Sequence, residues 1–278
     1  MRNKWLLRAV WVIGIAVLQV CQAQSGPALI VHDGTAGIES DVLANLTGKL
    51  TAAGYTVTAN VGVPGGSLAA NRQIWDIRFN NTTPLTGSDI TAYVAYMAGG
   101  RSLFVMGENT GFATRNNSII ALVQSAGGGT ITVGNPANNV QTVQSPFTGP
   151  NALATVTFLA AAGSPSPANG AYVTRDGSNI GASLAFGPGN MANAAAGSLL
   201  IVFDVNFLQA SADANSQTFS NNLVAYLAAP VVIAPPPSSG PAPSAAPSLS
   251  EWGMVLLAGG LIFVAARRLR APDGAHLE

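Results

Sequence analysis

Short apolar runs that end in polar residues most limit what this chain can fold into. The first is Ala-Leu-Ile-Val-His-Asp-Gly at residues 28–34, and the last is Ser-Leu-Leu-Ile-Val-Phe-Asp at residues 198–204. Continuous hydrophobicity over roughly four to eight residues is typical of a strand buried on both faces, as in a parallel sheet. The chain must therefore place several strands between two apolar layers.

Helical patterns alternate with these runs. After the first run, apolar residues recur at helical spacing and Gly54 follows as a stop signal. The members of this stripe are Ile38, Val42, Leu43, Leu46 and Leu50. Further strands are predicted at 55–59, 73–77, 101–106, 130–133 and 198–204, and further helical stripes at 90–97, 119–123 and 219–227. Either Thr86 or Ser88 is placed to cap the second helix.

The rhythm changes between residues 135 and 197, where Pro, Asn and Gly separate short alternating runs at 154–159, 171–174 and 180–186. Asp176-Gly177 is a hairpin turn signal. We therefore predict an α/β fold. It would have an open, mostly parallel sheet, helices on both faces and an antiparallel extension.

The first 23 residues have the pattern of a secretory signal peptide. Cations precede an apolar run at 9–18, and Cys21-Gln22-Ala23 is a small-x-small cleavage site. Export by the secretion machinery and cleavage by signal peptidase are predicted; an uncleaved membrane anchor is the alternative. Cleavage would remove Cys21, the only cysteine. The exported domain, residues 24–233, would then have no disulfide, thiol nucleophile or thiolate metal site.

Charge is sparse. Between residues 24 and 240, nine acidic side chains outnumber six basic ones, for a net charge of about −3. Because there is no basic patch, nucleic acid is excluded as a partner. One His and scattered carboxylates do not form a metal-ligating pattern, and the glycine-rich segments lack the Lys-Ser/Thr of a phosphate loop, so no metal and no cofactor is predicted.

The C-terminal part has three sections. Residues 234–246 are a Pro/Ser/Ala linker. Residues 252–266 carry no charge and are followed by an arginine cluster, which predicts a single transmembrane helix with its C-terminus in the cytoplasm. Residues 271–278 would be the cytoplasmic tail, and a buried core helix is the alternative for the apolar run.

The same region resembles the IPTL-CTERM sorting signal of Gram-negative bacteria, which begins Ile-Pro-Thr-Leu-Ser-Glu-Trp-Gly. Residues 247–270 carry the match, with Ala246 in place of Ile and Ser248 in place of Thr. The matching residues are Pro247, Leu249, Ser250, Glu251, Trp252, Gly253, Arg267, Arg268 and Arg270. The resemblance implies at least transient residence in the inner membrane, recognition by an exosortase-like enzyme and delivery to the cell surface or extracellular matrix.

The order of elements over residues 28–228 resembles the class I glutamine amidotransferase-like superfamily, including ThuA-like members, which has a flavodoxin-like three-layer fold. Gly107-Glu108-Asn109-Thr110-Gly111 follows a strand and precedes a helix, like the Gly-x-Cys-x-Gly nucleophile elbow of that family. Asn109 stands where the family has its Cys. An amide has no thiol or hydroxyl to deprotonate, so amidotransferase chemistry is not expected.

Ligands of open α/β sheets bind at the carboxyl ends of the strands, and polar residues are predicted at four such ends. The candidate catalytic residues are His32, Asp33, Glu108 and Asn109, and the candidate binding residues are Asp76, Arg115, Asn116 and Asp204. Each Asp is also suited to capping a helix or closing a turn, and the lone His to a structural role.

Three functions stay open. The first is a non-catalytic, surface-sorted domain that binds a ligand or partner, for example an extracellular polysaccharide. The second is an exported hydrolase-like enzyme that uses His32 with Asp33 or Glu108. The third is a structural protein of the extracellular matrix.

Overall fold

The structure, a computed structural model, describes residues 26–34, 36–137 and 139–228. The predicted signal peptide, linker, sorting signal and tail lie outside these residues. Within them, no helix has the length and apolar character needed to cross a membrane.

The described residues form eleven strands and four α-helices. The helices are α1 (Gly37–Ala52), α2 (Gly87–Ala98), α3 (Ala113–Ala126) and α4 (Ala214–Ala228). The strands are β1 (Pro27–His32), β2 (Thr56–Val61), β3 (Gln73–Asp76), β4 (Ser102–Met106), β5 (Asn135–Pro136), β6 (Val140–Val143), β7 (Thr155–Thr157), β8 (Ala162–Gly163), β9 (Ala171–Arg175), β10 (Ser183–Phe186) and β11 (Ser198–Val202).

Nine of the strands form one sheet in the order β2-β1-β3-β4-β11-β10-β9-β6-β7. The first five strands in this order pair in parallel, and the other four are added antiparallel. The prediction of a mixed α/β fold with a large, mostly parallel sheet and an antiparallel extension is therefore confirmed. The Asp176-Gly177 turn lies, as predicted, between the antiparallel pair β9 and β10.

The parallel strands lie between two apolar layers, as their sequences require. In β1, Ala28 and Ile30 pack with α1 and α4, whereas Leu29 and Val31 pack with α2 and α3. Each face of the strand is buried because a strand alternates its side chains between faces and here both are covered.

Local signals place the helix ends. Thr86 caps α2, accepting a hydrogen bond from the Asp89 N–H while the Asp89 carboxylate accepts one from the Thr86 N–H. Gly127 ends α3 in the left-handed conformation, at φ +80°. In α1 the predicted stripe is buried at Val42, Leu46 and Leu50, but Ile38 at its start is 42% exposed. The prediction that the apolar stripe begins at Ile38 was therefore wrong, because Ile38 lies outside both apolar layers of the core.

A second correction concerns residues 130–133, which were predicted to be the fifth strand of the parallel sheet. They form no strand, although Ile131 is buried. The edge of β4 is instead occupied by β11, in register over five residue pairs from Ser198–Ser102 to Val202–Met106. A β-branched run becomes a strand only where a partner edge is free, and here that edge is taken by a segment about seventy residues later.

Candidate functional site

The predicted polar residues do meet at the carboxyl edge of the parallel strands. The strand register places Asp76 level with Val31 of β1 and Val105 of β4, and Met106 level with Val202 of β11. His32 and Asp76 are the last residues of β1 and β3, and Glu108 and Asp204 come just after β4 and β11. All four therefore lie at one edge of the sheet, and all four are buried.

Asp76 is the centre of a buried ion cluster. Its carboxylate accepts two hydrogen bonds from Arg78, at 3.0 and 2.6 Å, one from Arg115 at 3.2 Å and one from the Tyr93 hydroxyl at 2.9 Å. Burial alone would raise the pKa of Asp76, but the positive charges of Arg115 and Arg78 and these hydrogen bonds lower it. The cluster joins β3, α2 and α3 and leaves no free face of the carboxylate.

Arg115 is also fully buried, and its other nitrogens are occupied. It donates to the backbone oxygens of Met106, at 3.0 Å, and Thr83, at 3.2 Å. Asn116 accepts from the N–H of Glu108 at 3.1 Å and donates to the carbonyl groups of Glu108 and Asn109, at 2.8 and 3.2 Å. Both predicted binding residues thus position the turn between β4 and α3.

Glu108 lies inside that turn. One carboxylate oxygen accepts from the backbone N–H and side-chain amide of Asn109, at 2.9 and 3.1 Å, and the other accepts from the Val205 N–H at 2.7 Å. Burial, with a smaller contribution from the negative charge of Asp204, raises the pKa of Glu108 to about 7, and these hydrogen bonds oppose the rise. The oxygen of the Asn109 amide accepts from the Gly111 N–H at 2.9 Å.

Asp204 holds the turn that follows β11. Its carboxylate accepts from the N–H groups of Leu159, Ala160 and Asn206, at 2.8, 3.3 and 2.7 Å. Burial raises the pKa of Asp204, and these N–H groups oppose that rise. Two buried carboxyl groups with raised pKa values thus follow the adjacent strands β4 and β11.

His32 and Asp33 lie apart from this carboxyl pair. The Nδ1 of His32 lies 2.8 Å from the Gly34 carbonyl oxygen, which can only accept a hydrogen bond. The Asp33 carboxylate accepts from Asn80 at 3.1 Å and Thr83 at 2.8 Å. Over the described ranges, no hydrogen bond joins His32 to Asp33 or to Glu108.

The sequence did not single out Asn81, which organises the loop after β3. Its side-chain oxygen accepts from the N–H groups of Thr114 and Arg115, at 3.0 and 3.3 Å, and its amide donates to the Gly111 carbonyl at 2.9 Å. It therefore caps α3 from another part of the chain, because Phe112, which precedes α3, makes no side-chain cap. The only sequence signal was an Asn/Thr-rich loop beyond a buried strand.

Neutral polar and aromatic side chains lie at the surface of this edge, where Asp33 is half-buried. Asn81, Thr110 and Asn117 are exposed, and the half-buried rings of Phe79 and Phe112 lie 5.9 Å apart. In the part of the chain that the structure describes, every buried side-chain nitrogen and oxygen has a hydrogen-bond partner, and no three His, Cys, Asp or Glu side chains are grouped to hold a metal ion.

No family model and no curated protein matches this chain. Among solved structures, the mmIFT52 N-terminal domain is similar, with 14% identity and a TM-score of 0.56 over 72% of this chain and 96% of that one. The exo-beta-1,4-mannosidase Op5Man5 from Opitutaceae bacterium strain TAV5 is similar with 12% identity and a TM-score of 0.46, over 80% of this chain and 38% of that one. The first shows a shared fold alone, and the second carries no argument about this chain.

Proposed function

We propose that this chain is an exported, surface-sorted protein whose α/β domain binds a ligand and does not transform it. The observation that carries the proposal is the turn between β4 and α3. At the position of the family nucleophile stands Asn109, whose amide is bonded to Glu108 and Gly111. A side chain with no ionisable group, held in place by its own turn, is suited to shaping a surface and not to attacking a substrate.

The finer description of the fold belongs to the same proposal. The parallel strands run β2-β1-β3-β4-β11, which is the 2-1-3-4-5 order of flavodoxin-like folds. Two helices cover each face. This order supports a flavodoxin-like, glutamine amidotransferase-like domain that lacks the catalytic Cys.

The proposed ligand is a neutral, hydroxyl-rich polymer such as an extracellular polysaccharide. The charged groups of the carboxyl edge are bound internally, and the loops above them present amide and hydroxyl side chains beside Phe79 and Phe112. Amides exchange hydrogen bonds with hydroxyl groups, and aromatic faces cover apolar surface.

A glycan-binding screen on residues 24–233 tests this proposal. Phe112→Ala should weaken binding of any glycan found by at least tenfold. Val140→Ala, which trims an exposed apolar side chain on β6, should leave binding unchanged. Equal binding by both variants would place the ligand elsewhere, and binding of no glycan would reject this ligand class.

Glu108 favours the hydrolase-like alternative, since a carboxyl group whose pKa lies near 7 is suited to general acid–base catalysis. Chromogenic esters and glycosides distinguish the two functions. Turnover that is lost in both His32→Gln and Glu108→Gln would favour the enzyme and reject the binding-only proposal.

Export and sorting need a separate test in the native host. The mature protein is compared by mass between cells with and without the sorting enzyme. The proposal requires loss of residues from the C-terminal signal only where the enzyme is present. An intact C-terminus in both strains would reject it, and unchanged membrane retention after neutralising Arg267, Arg268 and Arg270 would reject the predicted topology.

A further inference from the structure

Charge is distributed unevenly between the two ends of the strands. Every acidic residue of the described chain lies at the carboxyl end of the parallel strands, of β9, which runs in the same direction, or at the start of the helix that follows a strand. They are Asp33, Glu39, Asp41, Asp76, Asp89, Glu108, Asp176, Asp204 and Asp213. Three arginines, Arg78, Arg115 and Arg175, share this end, so nine negative charges against three positive ones give a formal charge of −6. At the opposite end lie Lys49, Arg72 and Arg101.

The cations at the carboxyl end do not offset this charge at the surface of the parallel strands. Arg78 and Arg115 are buried, and both are bound to Asp76. Arg175 is exposed, but it lies at the end of β9, outside the parallel part of the sheet. The acidic residues around the parallel strands that are half-buried or exposed are Asp33, Asp41, Asp89 and Asp213. Among the described residues around these strands, carboxylates are therefore the only charged groups at the surface of this end.

Asp33 brings negative charge to the surface proposed to bind the ligand. Its carboxylate accepts a hydrogen bond from Asn80 at 3.1 Å, and Asn80 directly follows Phe79. The buried Glu39 adds a second carboxylate, which accepts from the Asp33 N–H at 2.6 Å. Neither carboxylate forms a salt bridge to any residue that the structure describes. Two carboxylates without a described cation therefore lie beside the loop that carries Phe79.

Helix ends account for part of this distribution. Acidic side chains stabilise helix N-termini and cations stabilise C-termini, as Lys49 does in the last turn of α1. This preference applies to Glu39, Asp41, Asp89 and Asp213, which lie near the starts of helices. It does not cancel the field of these groups, because a surface with one sign of charge repels ions of the same sign whatever placed the charges there.

We propose that the acidic carboxyl end makes the surface at Phe79 and Phe112 selective, by excluding glycans that bear carboxylate or sulfate groups. This inference rests on the proposed function, since it states which glycans that surface rejects. Like charges brought together across an interface lower affinity and suppress wrong partners. Asp33 determines this specificity, because the other half-buried carboxylate near the loop, that of Asp89, is paired with Arg78.

Two nitroxides of opposite charge measure the field without any glycan. In the full chain in neutral detergent, the cation 4-amino-TEMPO should relax the amide protons of Asn80 and Gly111 at least twofold more strongly than the anion 4-carboxy-TEMPO. The order should reverse at Gly100, which precedes Arg101 at the opposite end. Equal relaxation of Asn80 and Gly111 by the two probes, or stronger relaxation by the anion, would overturn the proposal.

Matched glycans test the selectivity in the full chain. Each neutral glycan that binds is compared with its carboxymethylated derivative, which should bind at least tenfold more weakly at about 0.1 M salt. Asp33→Asn keeps a side-chain oxygen for the hydrogen bonds from Asn80 and Thr83, and it should reduce this ratio at least threefold. Asp176→Asn removes the same charge beyond β9, four strands from β3 or about 19 Å away. It should leave the ratio unchanged, because charges at this salt act over about 10 Å.

The outcomes separate this inference from the proposed function. Equal affinity for a glycan and its carboxymethylated derivative would overturn the selectivity and leave glycan binding in place. A ratio that falls equally in Asp33→Asn and Asp176→Asn, or in neither, would do the same for the role of Asp33. Binding of no glycan would reject the proposed ligand class and the selectivity together, whereas the nitroxides would still measure the field.

Discussion

Glu108 should make this domain less stable as the pH rises from 4.5 to 7, because it is a buried carboxyl group with a raised pKa. Burial raises its pKa from 4.5 to about 7, so the folded protein keeps a proton that the unfolded chain releases. The folded state then binds more protons between pH 4.5 and 7, and its free energy of unfolding must fall as the pH rises. The contribution is fully present below pH 4.5 and is lost as the pH passes through 7.

The size of the effect follows from the pKa difference. One pKa unit corresponds to about 1.4 kcal/mol, so the rise from 4.5 to about 7 corresponds to about 3 kcal/mol. Asp204 contributes with the same sign, because burial raises its pKa as well. Asp76 changes the free energy of unfolding with pH in the opposite direction, and it does so at lower pH. Its pKa is lowered, so its contribution is present above the ordinary Asp pKa and is lost on acidification.

Urea unfolding of the full chain at pH 5, 6, 7 and 8 measures the effect. Glu108→Gln should remove about 2–3 kcal/mol of the loss in stability between pH 5 and 8, because glutamine does not titrate and part of the full effect falls below pH 5. Asp204→Asn should remove a further part of it. Asp213→Asn takes one carboxylate from an exposed position and controls for the change in net charge. If the wild-type and Glu108→Gln curves are parallel over this range, Glu108 is not the titrating group and the burial argument is wrong.

Three further predictions concern stability and are measured by urea or thermal unfolding. Asp76→Asn leaves two buried guanidinium groups without their carboxylate and should lower the free energy of unfolding by about 3–5 kcal/mol. The double variant Asp76→Asn/Arg115→Met should lose less stability than the sum of the two single variants. Additive losses would contradict coupling through the cluster. Gly107→Ala places a methyl group against the ring of Phe203, just after β11, and should cost about 1–3 kcal/mol, whereas Gly48→Ala should stabilise by roughly 0.5–1 kcal/mol; equal effects would refute the close approach. Asn81→Ala removes the cap of α3 and should cost about 1 kcal/mol, and an unchanged stability would show that solvent caps the helix as well.

Local patterns predicted the helices and most of the parallel sheet. The runs that became β1, β4 and β11 are largely apolar on both faces, and only a strand between two layers can bury them. The cap at Thr86 also follows from local sequence, because a capping box closes within four residues.

Partners distant along the chain could not be predicted in this way. Residues 130–133 have strand propensity but no free edge, and Asn81 caps a helix more than thirty residues away. The predicted polar residues lie at one edge of the sheet, as the register of the parallel strands requires. Their hydrogen bonds, which tie Arg115 and Asn116 into the fold, depend on which loops pack together.

The sequence by itself determined the layers, since hydrophobic periodicity decides which faces must be buried. It also carries the predicted export and sorting signals, which lie outside the described residues. Only the tertiary structure decided the order of the strands and the state of the charged groups. Asp76 and Glu108 are both buried carboxyl groups at the ends of parallel strands. Two arginines lower the pKa of Asp76, whereas the pKa of Glu108 is about 7. The difference between them is the presence or absence of a buried cation, and the folded chain alone places that charge.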